Sequence, residues 1–120
     1  MIDPHDIFEL AEKLGSGANV SETVLRSAAS RAYYSIFHLV GQELGPPDYY
    51  EPPSAHQKVR TVLLSEDPAT CGDHIRLARR HFDTLKDARE RSDYRLQEVV
   101  EDWEVELWLL QAKGIFDARL

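Results

Sequence analysis

An arginine and a histidine on one helix face are the residues of this chain best suited to chemistry on a phosphate. From Arg26 to Val40 the sequence reads RSAASRAYYSIFHLV. At about 100° per residue, Arg31 and His38 fall about 20° apart around a helix axis, and Ser27 and Tyr34 share their face. A guanidinium stabilises charge building on a phosphate. An imidazole that ionises near neutral pH moves protons to or from hydroxyl and leaving oxygens. Ala28, Ala32, Ile36, Leu39 and Val40 are left to face a core, and the small residues from Ser27 to Ala32 permit close helix approach.

A second concentration of charge lies between Asp73 and Arg95, with seven basic residues (Arg76, Arg79, Arg80, Lys86, Arg89, Arg91, Arg95) against five acids. The whole chain carries −7, which argues against a broad, sequence-independent grip on nucleic acid, because such a grip needs Lys and Arg facing phosphates. A local phosphate site stays open. So does a solvated face whose charges pair along the helix, as Asp83 and Asp87 would with Arg79 and Lys86. Other chemistries find little support. Cys71-x-x-His74 has no second pair at zinc-ligand spacing, so no metal is expected. There is no Gly-rich loop after a strand and no Gly-x-Ser-x-Gly elbow, and no cofactor is expected.

The elements that must position these residues are helices. Asp3-Pro4 offers a cap and a first-turn proline, Ile7, Leu10, Ala11 and Leu14 repeat at helical spacing, and Gly15 stops the run. Asn19-x-x-Glu22 resembles a capping box ahead of a long helix from about Ser21 to Leu44. Gly45-Pro46-Pro47 ends that helix. Ser54-x-x-Gln57 is the expected cap of a third helix holding Val59, Val62, Leu63 and Leu64. A fourth is expected from about Asp73 to Arg91 on the stripe Ile75, Ala78, Phe82 and Leu85. A fifth takes in Val99, Val100, Trp103, Leu107, Leu110 and Ile115, with Trp103 and Trp108 as core or interface packing and Glu98, Glu101, Asp102, Glu104 and Glu106 as its solvated face. No stretch alternates with period two. Short connections favour antiparallel neighbours. The expectation is an all-α, five-helix antiparallel bundle in a single domain over residues 1–120, a length sufficient for one core. With 42% apolar residues, one cysteine, an acidic N-terminus and no apolar run of about 20 residues, the expected setting is cytoplasmic, without disulfide, signal peptide or membrane span.

RSAASRAYYSIFHLV resembles the long second helix of HEPN domains, where small residues precede Arg-Ala-Tyr-Tyr and then Phe-His. Downstream, ARERSDY (Ala88–Tyr94) is similar to the Arg-x-x-Ala-Asp-Tyr signature of a compact bacterial and archaeal branch, and His56 in SAHQKV sits where that branch often has a histidine. These matches span residues 7–113 in order. The resemblance implies a HEPN-like bundle, commonly a homodimer with a polar cleft at its twofold, acting in RNA or nucleotide biology. Many members are metal-independent endoribonucleases. Some are toxin-like or defence components paired with a nucleotidyltransferase that modifies a tyrosine near the motif. Their Arg…His motif, with roughly four to six residues between, occurs here as Arg31/His38 and Arg76/His81. At the later helix where the ribonucleases carry it, this chain has Asp93 and Tyr94.

The candidate catalytic residues are therefore Arg31, His38, Arg89 and Tyr94, with Tyr34, Asp93 and Arg91 as candidate binding residues. Three arrangements are open. Arg31, His38, Arg89 and Tyr94 form a phosphate-handling site; or Arg31, Arg89 and Asp93 form a buried ion-pair network; or His38 is a satisfied interior histidine, with Tyr33 and Tyr34 as core and interface aromatics. At the level of function, the alternative to RNA chemistry is a noncatalytic HEPN module docking a nucleotidyltransferase or another protein partner.

Overall fold

Five helices form between the breakers: α1 (Pro4–Gly15), α2 (Glu22–Leu44), α3 (Ala55–Leu64), α4 (Asp73–Tyr94) and α5 (Asp102–Asp117). The computed structural model describes residues 2–119, and no strand occurs among them. The five-helix, all-α bundle read from the sequence is the fold.

Local chemistry sets most of the helix ends. The Asp3 side chain accepts from the His5 N–H at 2.8 Å, and Asp6 reaches back to the Asp3 N–H at 3.2 Å, closing a capping box ahead of Pro4. At α2 the expected box is replaced. Ser21 is the cap, accepting from the Val24 N–H at 3.3 Å, while Asn19 takes a left-handed φ of 60° and turns the chain, a conformation Asn tolerates better than most residues. Ser54 stands at the start of α3, but its left-handed backbone leaves the side chain without a cap bond. A capping box between Glu101 and Glu104 starts α5. Val99 and Val100 therefore precede that helix, and Val100 enters the core from the loop.

α2 touches each of the other four helices. Its buried Ala28, Ala29 and Ala32 let neighbours close in, while Tyr33, Ile36 and Val40 fill the space between them. Ile75, Phe82 and Leu85 of α4, with Val105, Ile115 and Phe116 of α5, complete one continuous core. Each large apolar side chain so buried contributes about 1.5–3 kcal/mol.

Two arginines act as helix ends rather than as surface charge. Arg26 is buried, and its guanidinium donates to the Arg91 carbonyl (2.8 Å), the Ser92 carbonyl (3.1 Å), the Arg95 carbonyl (3.3 Å) and the Glu98 carbonyl. It thus satisfies the acceptors left over at the end of α4, which runs a turn past Arg91. Arg79 does the same for α3, donating to the carbonyls of Leu63, Leu64 and Glu66.

α5 departs from expectation. Trp108 and Leu109 turn into the core, but Trp103, Leu107 and Leu110 lie exposed on its outer face. Among the described residues, no helix is long and apolar enough to cross a membrane.

Candidate functional site

α2 and α4 pack together, so two side chains one helical turn apart on each helix meet. Ser30 and Tyr34 come from α2; Arg89 and Asp93 come from α4. Ser30 Oγ donates to Asp93 Oδ2 at 3.0 Å. The Arg89 Nε lies 3.0 Å from the same oxygen, but its N–H is misaligned and finds no acceptor. Arg89 Nη2 donates to the Tyr94 hydroxyl at 3.1 Å. The guanidinium carbon sits 5.3 Å from the Tyr34 ring centroid and 5.0 Å from that of Tyr94, a cation held by two aromatic faces. The Arg89 side chain is 14% exposed, whereas Tyr94 is 67% exposed. Burial raises the Tyr34 pKa, with Arg89 acting against the shift.

His56, in the first turn of α3, borders this cluster. Its Nδ1 is 2.7 Å from the Tyr33 hydroxyl, and its ring centroid is 5.9 Å from that of Tyr34. Burial first, then the cations of Arg89 and Lys86, holds the His56 pKa below the ordinary 6.5, with Glu90 opposing. Ser54, His56, Arg60, Lys86 and Glu90 line an open pocket here. Its two cations are already matched: Arg60 grips Asp83 with two bonds (2.9 and 3.1 Å), and Lys86 donates to Glu90 at 2.8 Å.

His38 follows Tyr34 by one turn on α2, but it opens elsewhere. Its Nδ1 is 2.6 Å from the Tyr49 hydroxyl, and it lines a separate groove with Pro4, Ile7 and Gln42. Tyr49 reaches it because its ring lies flat against Gly41, where a Cβ would collide with the ring. Burial lowers the His38 pKa. Arg31 is exposed beside the cluster, in a groove shared with Leu10, Leu14, Ser30 and Asp93. Among the described residues, it joins no ion pair or hydrogen bond. Arg91 faces away altogether: it binds Glu104 at 2.8 Å and the Val99 carbonyl at 3.0 Å, and lies 5.6 Å from the Trp108 ring, fastening α5 to α4.

The structure thus brings Tyr34, Arg89, Asp93 and Tyr94 together, places Arg31 at their margin, and separates His38 and Arg91. The first arrangement does not form, because His38 opens into a separate groove and Arg31 stays at the margin, while parts of the other two are present. Arg89–Asp93 is an ion pair without Arg31, His38 is a satisfied half-buried histidine, and Tyr33 is core. Ser30 was missed as a site residue, although it sits four positions before Tyr34. His56 was singled out by resemblance, but nothing in its spacing tied it to Arg89. The second Arg–His spacing fails geometrically, because Arg76 and His81 point about 140° apart around α4, and Arg76 is engaged with Asp73 and the Pro68 carbonyl. His74 bonds Glu43 at 2.7 Å, away from any metal-like set. Among the described residues, no three His, Cys, Asp or Glu side chains group as a metal site.

No family model, curated protein or solved structure matches this chain.

Proposed function

We propose that this chain is a HEPN-like protein that engages RNA or nucleotide phosphates at the Arg89 cluster. The observation that carries this reading is Arg89 held between the Tyr34 and Tyr94 rings, its Nη2 bonded to a phenol hydroxyl and its Nη1 in no hydrogen bond among the described residues. Stacking fixes the guanidinium while leaving it donors for a phosphate oxygen. The exposed Tyr94 ring beside it offers a face on which a nucleobase can stack. Asp93 balances the charge in the free protein, so an incoming phosphate displaces or shares that partner.

In the catalytic form of this reading the chain is a metal-independent endoribonuclease of toxin-like or defence character. Arg89 stabilises the phosphate charge and a neutral histidine moves the proton. His56 is assigned that role because its ring borders the cluster, 5.9 Å from that of Tyr34, whereas His38 is bonded to Tyr49 and opens into a separate groove. A cytoplasmic setting and a homodimer accompany the resemblance to HEPN proteins. The second reading is a noncatalytic HEPN module that docks a nucleotidyltransferase-type partner. It is favoured by two features: Asp93 already neutralises Arg89, and His38 is satisfied by Tyr49.

The test is incubation of the protein with labelled single-stranded RNA in excess chelator. Arg89→Ala is expected to weaken binding on the order of tenfold. Cleavage should vanish in Arg89→Ala and His56→Ala and persist in His38→Ala, all three checked for folding. If a panel of RNAs is neither bound nor cut, the noncatalytic reading stands in its place.

A further inference from the structure

We propose that Asp93 selects ribose over deoxyribose at the Arg89 cluster, its free carboxylate oxygen accepting the 2′-hydroxyl of the bound nucleotide. The assignment rests on the phosphate site proposed at Arg89 and adds the group that reads the sugar. The Asp93 carboxylate is held by one oxygen only. Ser30 Oγ donates to Oδ2 at 3.0 Å, and Arg89 Nε lies 3.0 Å from the same atom. Oδ1 makes no hydrogen bond among the described residues. Asp93 is exposed, and it lines the open groove that also holds Ser27, Ser30 and Arg31. An ionised carboxylate only accepts, so a group that docks against Oδ1 has to donate.

The neighbours of Asp93 say which donor. Tyr94, the next residue, is 67% exposed, with the guanidinium carbon of Arg89 5.0 Å from its ring centroid. Arg89 Nη1 is in no hydrogen bond among the described residues. A nucleotide that stacks its base on Tyr94 and sets its phosphate on Nη1 carries its sugar between those two groups. Asp93 adjoins both, Tyr94 through the chain and Arg89 through the ion pair. The 2′-hydroxyl is the donor that ribose has and deoxyribose lacks.

A carboxylate beside a phosphate site also acts against any ligand that does not engage it. It repels the phosphate charge, and it loses water without gaining a partner when only C–H groups face it. Arg31, the other charged side chain of the groove, donates only and cannot supply the acceptor. The same atom therefore favours RNA and penalises DNA, whereas an arginine acting alone grips the phosphates of both.

Fluorescence anisotropy of three labelled single strands of one sequence tests this: RNA, DNA, and 2′-fluoro RNA, which keeps the ribose pucker but cannot donate. Titrations are run in excess chelator, and the His56→Ala chain replaces the wild type in every arm if the RNA is cut. The wild type is expected to bind RNA at least about tenfold more tightly than either other strand. Asp93→Ala should bring the three affinities together and strengthen DNA binding, a gain that mere structural damage would not produce. Asp93→Asn keeps the shape of the side chain, and it should lower the preference at least about threefold, since a neutral amide replaces the charged acceptor. Equal binding of RNA and DNA by the wild type, 2′-fluoro RNA bound as tightly as RNA, or a preference unchanged in both variants overturns the role of Asp93 and leaves the Arg89 site standing. If neither RNA nor DNA binds, the Arg89 site falls and the role of Asp93 falls with it.

Discussion

The guanidinium of Arg26 is surrounded by the carbonyls of Arg91, Ser92, Arg95 and Glu98, whereas that of Arg89 rests on two phenol rings and keeps an N–H without an acceptor. Removing the first leaves several buried acceptors bare. Arg26→Ala is expected to lower the unfolding free energy by about 3 kcal/mol in urea titrations. Arg89→Ala, which loses stacking and one partly screened ion pair, should cost about 1 kcal/mol. Equal losses would show Arg89 to be structural too. The histidines make a pH prediction. Burial holds His38, His56 and His81 below their ordinary pKa of 6.5, so the unfolded chain binds their protons more readily than the folded one. Stability is therefore highest above that value and falls as pH drops through the window beneath it. Urea midpoints measured from about pH 7.5 to 5 should decline, and His38→Gln with His56→Gln should flatten the decline. A flat wild-type profile would sink this account.

At the scale of elements, the contact between α2 and the loop after it depends on a missing side chain. The Tyr49 ring occupies the space a Cβ on Gly41 would take, and that ring is itself buried and cannot swing aside. Gly41→Ala is expected to cost about 1–3 kcal/mol by overpacking and to pull the Tyr49 hydroxyl away from His38. Imidazole chemical shifts report the second effect, and a His38 signal identical to wild type would contradict it. The end of α4 is held from two sides, by Arg26 from α2 and by the Arg91–Glu104 pair to α5. This double anchorage keeps Arg89, Asp93 and Tyr94 in register with Ser30 and Tyr34.

For the whole molecule, the net charge of −7 limits how RNA can be held. A single arginine-centred site on an acidic protein neutralises about one phosphate. The logarithm of affinity should then fall with the logarithm of salt at a slope of about −0.7, the single-strand value per phosphate. Fluorescence anisotropy at several salt concentrations measures it. A slope several times steeper would mean that other basic residues of the Asp73–Arg95 stretch, such as the exposed Arg80 and Arg95, also face the strand.

Helix number, order and most boundaries were legible in the chain because caps, prolines and the 3.6-residue period act locally. Asp3-Pro4, Gly45-Pro46-Pro47 and the Ile75–Leu85 stripe would mean the same in any fold. The start of α2 near Ser21 was legible, but its cap was assigned two residues early, since Asn19 and Ser21 can both cap and Asn19 instead takes a left-handed turn. What only the tertiary structure decided was which polar ends meet. A sequence places Arg31 and His38 on one helix face, but the neighbours of α2 leave the first in solvent and turn the second to Tyr49. Arg89 and Arg91 lie two residues apart on α4; packing sends one to Tyr34 and the other to Glu104. α5 carries apolar residues on both sides, so periodicity could not say that Trp108 would be buried and Trp103 exposed. Side-chain periodicity fixes angles around an axis, whereas the rotation of that axis against its neighbours is set by the sum of contacts made across the core.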